Sequence, residues 1–152
     1  MKQYIFTFII ALVIGFFLSN FFIKQYNDYT GIKVSNTGYE LYFIEYGSYS
    51  TIDTMEKNTI NLENYIYNEI NNKYYVYVGI TETEENAKRI VDHFTKLGYE
   101  TSIKKFSITN KEFMEIIKNY DNIIKNITDE TAFSSLISQV LTKYEEVVIN
   151  GS

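Results

Sequence analysis

The sequence contains no cysteine and a single histidine, His93, among its 152 residues. The absence of cysteine excludes disulfides, thiolate metal sites and cysteine nucleophiles. One histidine cannot form a histidine-based metal cluster, and any catalytic dyad would depend on His93 alone. The nucleotide-binding, zinc-protease and serine-hydrolase patterns are also absent from the sequence. We therefore predict no catalytic residue, no metal ligand and no cofactor, and we interpret His93 as a solvent-facing helix residue.

Basic residues are fewer than acidic ones, 14 against 19. Only Lys2 and Lys24 precede residue 25, and the rest of the chain has 12 basic and 19 acidic residues, a net charge of −7. Nucleic-acid binding requires a basic face that neutralises phosphates. A nucleic acid is therefore not an expected partner.

One long apolar run stands at the start of the chain, where residues 4–23 read YIFTFIIALVIGFFLSNFFI without a charge. As a helix this run would span about 30 Å, the hydrocarbon thickness of a bilayer. A cleaved signal peptide is the competing interpretation, but the run is long and no small-residue cleavage site follows it. We predict an uncleaved transmembrane anchor over 1–24 and a linker over 25–37. The protein would lie in the cell membrane as a single-pass protein, with its domain outside the cytoplasm.

The next seventy residues contain two similar halves. Each half has an aromatic and β-branched strand that meets a glycine, then a helix start, then a second strand. The predicted helix starts are Ser50 or Thr51 in the first half and Thr83 in the second. The clearest helix has Ala87, Ile90, Val91, Phe94 and Leu97 on one stripe, and Gly98 follows as its cap. Asn71-Asn72-Lys73 is a candidate hairpin turn between the halves. The order β-α-β-β-α-β predicts an α+β, ferredoxin-like domain over 38–107, with a four-stranded antiparallel sheet and both helices on one face.

Side chains alternate between the two faces of a strand, so this pattern also predicts what the other face presents. Phe43, Tyr75 and Tyr77 would lie together on the face that the two helices leave open. The functional interpretation is a platform of aromatic rings. The alternative is that these rings form a second core layer beneath further helices.

Two further amphipathic helices are predicted over 108–148. Thr109 and Glu112 form a capping box for the first, and Thr128 is a cap for the second. Both carry continuous apolar stripes, so they must pack on each other, on the sheet or on a partner. The sequence does not decide which surface they cover.

The residues of the two halves resemble the SPOR domain, the sporulation-related repeat of bacterial peptidoglycan-binding proteins. The family's first strand is similar to Tyr42-Phe43-Ile44-Glu45-Tyr46-Gly47-Ser48-Tyr49-Ser50. Its second half is similar to a series that contains Tyr74 or Tyr75, Val76, Val78, Gly79, Thr83, Ala87, Leu97, Gly98 and Tyr99. The resemblance covers about residues 38–107, and it implies binding of septal or forespore peptidoglycan in cell division or sporulation.

The resemblance also implies where the glycan strand lies, which is across the open face of the sheet. Aromatic rings suit sugars because the apolar faces of pyranose rings stack on them. Glu45 replaces a glutamine of the family and would accept hydrogen bonds, while Lys104, with Lys73 or Lys105, would offset its charge. The predicted glycan-binding residues are Phe43, Glu45, Tyr75, Tyr77 and Lys104.

Two other functions compete with glycan binding. The same fold could dock another protein of the cell envelope through its sheet and C-terminal helices. An enzyme is the weakest interpretation, because a pair of carboxylates such as Glu45 and Glu69 could serve glycoside cleavage but nothing singles that pair out. We therefore expect a non-enzymatic, membrane-anchored binding protein.

Overall fold

A computed structural model describes residues 38–150 of the chain. These residues belong to one compact unit. The strands are β1 (Tyr39–Tyr49), β2 (Ile66–Ile70), β3 (Lys73–Thr81) and β4 (Ser102–Ile108). The helices are α1 (Ile52–Thr59), α2 (Glu84–Lys96), α3 (Lys111–Asn126) and α4 (Glu130–Tyr144), and α4 continues into a short π-helix over Glu145–Ile149. The predicted segments 1–24 and 25–37 lie outside the described residues.

The four strands form one antiparallel sheet in the order β2-β3-β1-β4. The predicted α+β class and the four-stranded antiparallel sheet are thereby confirmed. In the centre of the sheet Phe43 pairs with Ile80 on β3 and with Lys104 on β4. Two β-bulge irregularities, one between Ile44 and Glu45 and one between Glu45 and Gly47, interrupt the β1–β3 register. Such a bulge bends the strand and increases its twist.

Within residues 38–107, the helix caps and the hairpin turn lie where the sequence predicts them. Thr51 and Thr83 cap α1 and α2, because each side chain accepts a hydrogen bond from the backbone N–H three residues later. Gly98 follows α2 with φ of +86°, in the left-handed region that glycine adopts without strain. Asn71 and Asn72 both have positive φ, 51° and 60°, as a tight hairpin turn requires.

The predicted caps of the last two helices are each displaced by one residue. Asn110, rather than Thr109, caps α3 by accepting from the backbone N–H of Phe113. Asp129, rather than Thr128, caps α4 in the same way. The reason is chemical, because asparagine and aspartate are stronger N-caps than threonine.

One face of the sheet, which we call the Ile44 face, packs on α2. Its buried residues form an apolar cluster with residues of three helices: Ile44, Val78, Ala87, Ile90, Ile124, Phe133 and Ile137. Helix α1 lies on the same face, since the hydroxyl of Tyr46 donates to the carbonyl of Asn58. Gly79 allows α2 to approach the sheet closely, because an added Cβ would lie 2.9 Å from Cγ2 of Ile90.

The opposite face, which we call the Phe43 face, is covered by α3 and α4. Its cluster combines strand residues with residues of both helices: Leu41, Phe43, Ile66, Tyr77, Ile80, Ile108, Phe113, Met114, Ile117, Val140, Leu141 and Tyr144. The predicted boundary between 38–107 and 108–148 therefore crosses a continuous core.

Helix α4 contributes to both clusters. Its first half supplies Phe133 and Ile137 to the Ile44 face, and its second half supplies Val140 and Leu141 to the Phe43 face. A hydrogen bond fixes α4 near the start of β2, where the side-chain amide of Asn64 donates to the carbonyl of Ser138 at 3.0 Å. Helix α3 also contributes to both, with Ile117 on the Phe43 face and Ile124 on the Ile44 face. The sheet therefore lies between two apolar layers that share α3 and α4.

Candidate functional site

Two of the five predicted glycan-binding residues are core residues. Phe43 and Tyr77 are each 1% exposed. The Phe43 ring makes edge-to-face contacts with Tyr77, Phe106 and Tyr144 at centroid distances of 5.4, 5.0 and 5.4 Å. This geometry is favourable for aromatic pairs and leaves no ring face free for a ligand.

The prediction that Phe43 and Tyr77 lie on an open platform of aromatic rings is therefore wrong. The physical reason is the apolar stripes of α3 and α4, which bury themselves on the aromatic face of the sheet. The alternative interpretation, a second core layer beneath further helices, describes the packing of Phe43 and Tyr77.

The other three predicted residues lie at the margin of the same face and reach solvent. Glu45 and Lys104 face each other, with Oε1 and Nζ 3.9 Å apart and with side chains 16% and 45% exposed. Burial raises the pKa of Glu45, and the positive charge of Lys104 opposes that rise. Tyr75 is partly buried and packs against the Phe43-face cluster. These three residues form a small polar margin around a closed core.

A buried carboxylate attaches α3 to the rest of the fold. Asp121 is 5% exposed and accepts hydrogen bonds from the hydroxyl of Thr81, at 2.6 and 2.8 Å to its two oxygens. It also accepts from the backbone N–H groups of Glu82 and Thr83, at 2.8 and 3.1 Å. Burial raises the pKa of Asp121, and these hydrogen bonds oppose the rise.

Sequence reasoning missed Asp121, although a signal was present. Ile117, Asp121 and Ile124 follow one another at helical spacing of four and three residues, which puts the carboxylate on the buried stripe of α3. A single acid on such a stripe requires hydrogen-bond donors, because an unpaired buried charge is costly. The β3–α2 junction supplies those donors.

Arg89 makes the second attachment between α2 and the C-terminal helices. Its guanidinium donates to the carbonyl of Ile124 and, at 2.6 Å, to the carbonyl of Ile127. The same group lies over the ring of Phe133, 5.1 Å from its centroid. Arg89 thus satisfies carbonyls at the end of α3, which have no partner within the helix.

His93 lies in a small cleft of about 140 Å³ between α2 and the start of α4. The prediction of a solvent-facing His93 is wrong, since the residue is 7% exposed and its ring contacts the ring of Phe133. Its Nδ1 lies 2.9 Å from Oε2 of Glu130, and Nζ of Lys96 lies 2.9 Å from Oε1. The bonds from Lys96 and His93 lower the pKa of Glu130. A hydrogen-bonded contact from His93 and an ion pair from Lys96 thus join α2 to the start of α4 across this cleft.

Within residues 38–150 no group of three or more histidine, cysteine, aspartate or glutamate side chains could hold a metal ion. In the same range no helix is both long and apolar enough to cross a membrane. The apolar run over 4–23 lies outside this range.

Comparisons of the chain with protein-family models, with curated proteins and with solved structures find no match.

Proposed function

We propose that this chain is a membrane-anchored, non-enzymatic module of the bacterial cell envelope. On this proposal it is SPOR-like and binds glycan strands of septal or forespore peptidoglycan in cell division or sporulation. The anchor would be the apolar run over 4–23, and the binding domain would lie outside the cytoplasm.

One observation carries this proposal, which is the position of the two motif-bearing strands. The segments that resemble the SPOR family lie in β1 and β3, and these strands pair with each other at the centre of the sheet. The strand order β2-β3-β1-β4 supports the ferredoxin-like arrangement that the order of helices and strands predicts. Thr83 lies at the start of α2 and Gly98 directly after its end, at the positions where the SPOR-like pattern has a helix.

The mode of binding must differ from the one that the resemblance implies. Residues of α3 and α4 occupy the Phe43 face, so a glycan has no access to Phe43 or Tyr77. Of the predicted glycan-binding residues, Glu45, Tyr75 and Lys104 reach solvent at the margin of that face. The glycan would therefore use this margin or a surface elsewhere on the domain.

Co-sedimentation tests the proposal. The full chain in detergent is mixed with sacculi whose stem peptides have been removed by an amidase, and the pelleted fraction is measured. We expect the chain to pellet with treated sacculi and to stay in solution without them. Equal recovery with and without sacculi would contradict glycan binding.

A second candidate is a protein-interaction module of the envelope that uses the same fold. Two exposed apolar side chains favour it, Leu97 at the end of α2 and Ile123 on α3, which are 58% and 51% exposed. A partner protein could bury both. Chemical cross-linking in envelope membranes, followed by comparison with the Leu97→Asp and Ile123→Asp variants, tests it. The candidate predicts a cross-linked species that both substitutions remove, and a species that survives both would refute it.

A further inference from the structure

Three tyrosines form a row on the Ile44 face, across the end of the sheet. Tyr49 on β1 is the register partner of Tyr74 on β3, so both side chains lie on the same side. The rings of Tyr74 and Tyr67, the latter on β2, have centroids 6.1 Å apart and are tilted by 59°. Tyr75 belongs to the opposite face, because neighbouring residues of a strand alternate.

This row, which we call the tyrosine strip, lies outside both apolar clusters. Tyr67 is 43% exposed, and Tyr49 and Tyr74 are partly buried. The ring of Tyr49 turns back over Gly47, where an added Cβ would lie 3.0 Å from the tyrosine hydroxyl oxygen. The strip thus combines positioned rings with access to solvent.

Polar groups surround the tyrosine strip. Glu69 on β2 is the register partner of Tyr74, and burial together with the nearby Glu69 carboxylate raises the pKa of Tyr74. The turn residues Asn71 and Asn72 are exposed beside it. The strip therefore offers ring faces, a carboxylate and amide groups within a short span.

The size and charge of the strip decide the kind of ligand. A stable protein interface needs about 800 Å² from each partner, whereas a fully buried aromatic side chain accounts for only about 150–250 Å². Three partly buried rings are too small for such an interface and suit a small ligand. Lys73, the nearest base along β3, alternates with Tyr74 and points to the other face. An acidic ligand would meet Glu69 without a compensating base on the strip.

We propose that Tyr49, Tyr67 and Tyr74 form a stacking site for uncharged pyranose sugars of a glycan, on the face opposite Phe43. Pyranose rings have apolar faces that pack on aromatic rings and hydroxyl edges that carboxylates and amides can bond. This inference rests on the proposed function and deepens it, since it assigns the uncharged sugars of that glycan a site that the covering helices leave accessible. The muramic acid units, whose carboxylates are freed when the stem peptides are removed, would lie off the strip.

Calorimetric titration of the full chain in detergent with the N-acetylglucosamine tetramer, an uncharged probe, tests the site. We expect measurable binding that Tyr67→Ala weakens by about two- to tenfold, the value of one lost ring contact. Tyr39→Ala is the matched control, because Tyr39 is 42% exposed but lies at the far end of β1. Gly47→Ala should also weaken binding, since its methyl group displaces the ring of Tyr49.

Each outcome decides the proposal. A loss in Tyr67→Ala and Gly47→Ala but not in Tyr39→Ala supports the site. No binding of the tetramer, or equal effects of Tyr67→Ala and Tyr39→Ala, overturns it.

Sedimentation of the same variants with amidase-treated sacculi separates the two proposals. If the wild-type chain binds the tetramer but not the sacculi, the strip stands and the peptidoglycan function fails. If it binds sacculi and Tyr67→Ala does not reduce that binding, the strip fails alone.

Discussion

The two faces of the sheet both carry aromatic rings, but the rings differ in what lies opposite them. On the Phe43 face, Phe43 and Tyr77 are 1% exposed and make edge-to-face contacts beneath α3 and α4. On the Ile44 face, Tyr67 is 43% exposed beside Tyr74. Residue type and strand alternation assign each ring to a face. Only the packing of later helices decides whether that face is core or surface.

Removing the covering helices is the strongest way to test this comparison. A chain that ends after Thr109 lacks α3 and α4 and would expose the Phe43-face cluster to water, together with part of the other cluster. We expect that this shorter chain no longer unfolds cooperatively, because the remaining core is too small to stabilise a fold. Circular dichroism during heating measures the unfolding. A sharp transition near that of the intact chain would show that the helices are a removable cover.

Replacing one aromatic residue on each face with alanine tests the difference between the two faces. Phe43→Ala should lower the free energy of unfolding by about 3–5 kcal/mol, because it leaves a cavity among three packed rings. Tyr67→Ala should change it by no more than about 0.5 kcal/mol, as surface substitutions do. Urea unfolding measures both variants. Similar costs for the two would contradict the distinction between a core face and a surface face.

Asp121 tests how the cover is attached. Asp121→Leu keeps the approximate size of the side chain but removes both acceptor oxygens, so the N–H groups of Glu82 and Thr83 lose their partner. We expect a loss of about 1–3 kcal/mol in the free energy of unfolding, the cost of a buried unsatisfied group. Asp92→Leu, at an exposed position on α2, is the control and should leave stability nearly unchanged.

The margin of the Phe43 face should give the smallest effect, as a dependence on pH. Burial holds the pKa of Glu45 above its ordinary value of 4.5, so the folded state binds this proton more readily than the unfolded state. The contribution of Glu45 to stability therefore falls as pH rises from the ordinary pKa through the raised one. The melting temperature of Glu45→Gln, measured from about pH 4 to pH 7, should decline less with pH than that of the wild type. Identical slopes would contradict a raised pKa.

The sequence predicted those parts of the fold that depend on neighbouring residues. Thr51, Thr83 and Gly98 mark helix ends through their own backbone and side-chain chemistry, and Asn71-Asn72 adopt the positive φ angles of a tight turn. These signals require no knowledge of the tertiary structure.

The predictions failed where distant segments meet. His93 lies one step off the apolar stripe of α2, yet Phe133 and Glu130 of α4 enclose it. The face with Phe43 was assigned correctly by alternation, but its burial depends on α3 and α4 more than sixty residues later in the chain. An apolar stripe states that a helix must bury one side and does not identify the surface it buries against.

The sharing of α4 between the two apolar layers has a consequence for synthesis. Neither layer can be completed before residues 130–144 have left the ribosome, although the four strands and α2 emerge earlier. We therefore expect the nascent chain to expose its aromatic strands until α4 arrives, and domains in that state are prone to aggregate. We therefore expect the nascent chain to depend on chaperones even if the complete fold is stable.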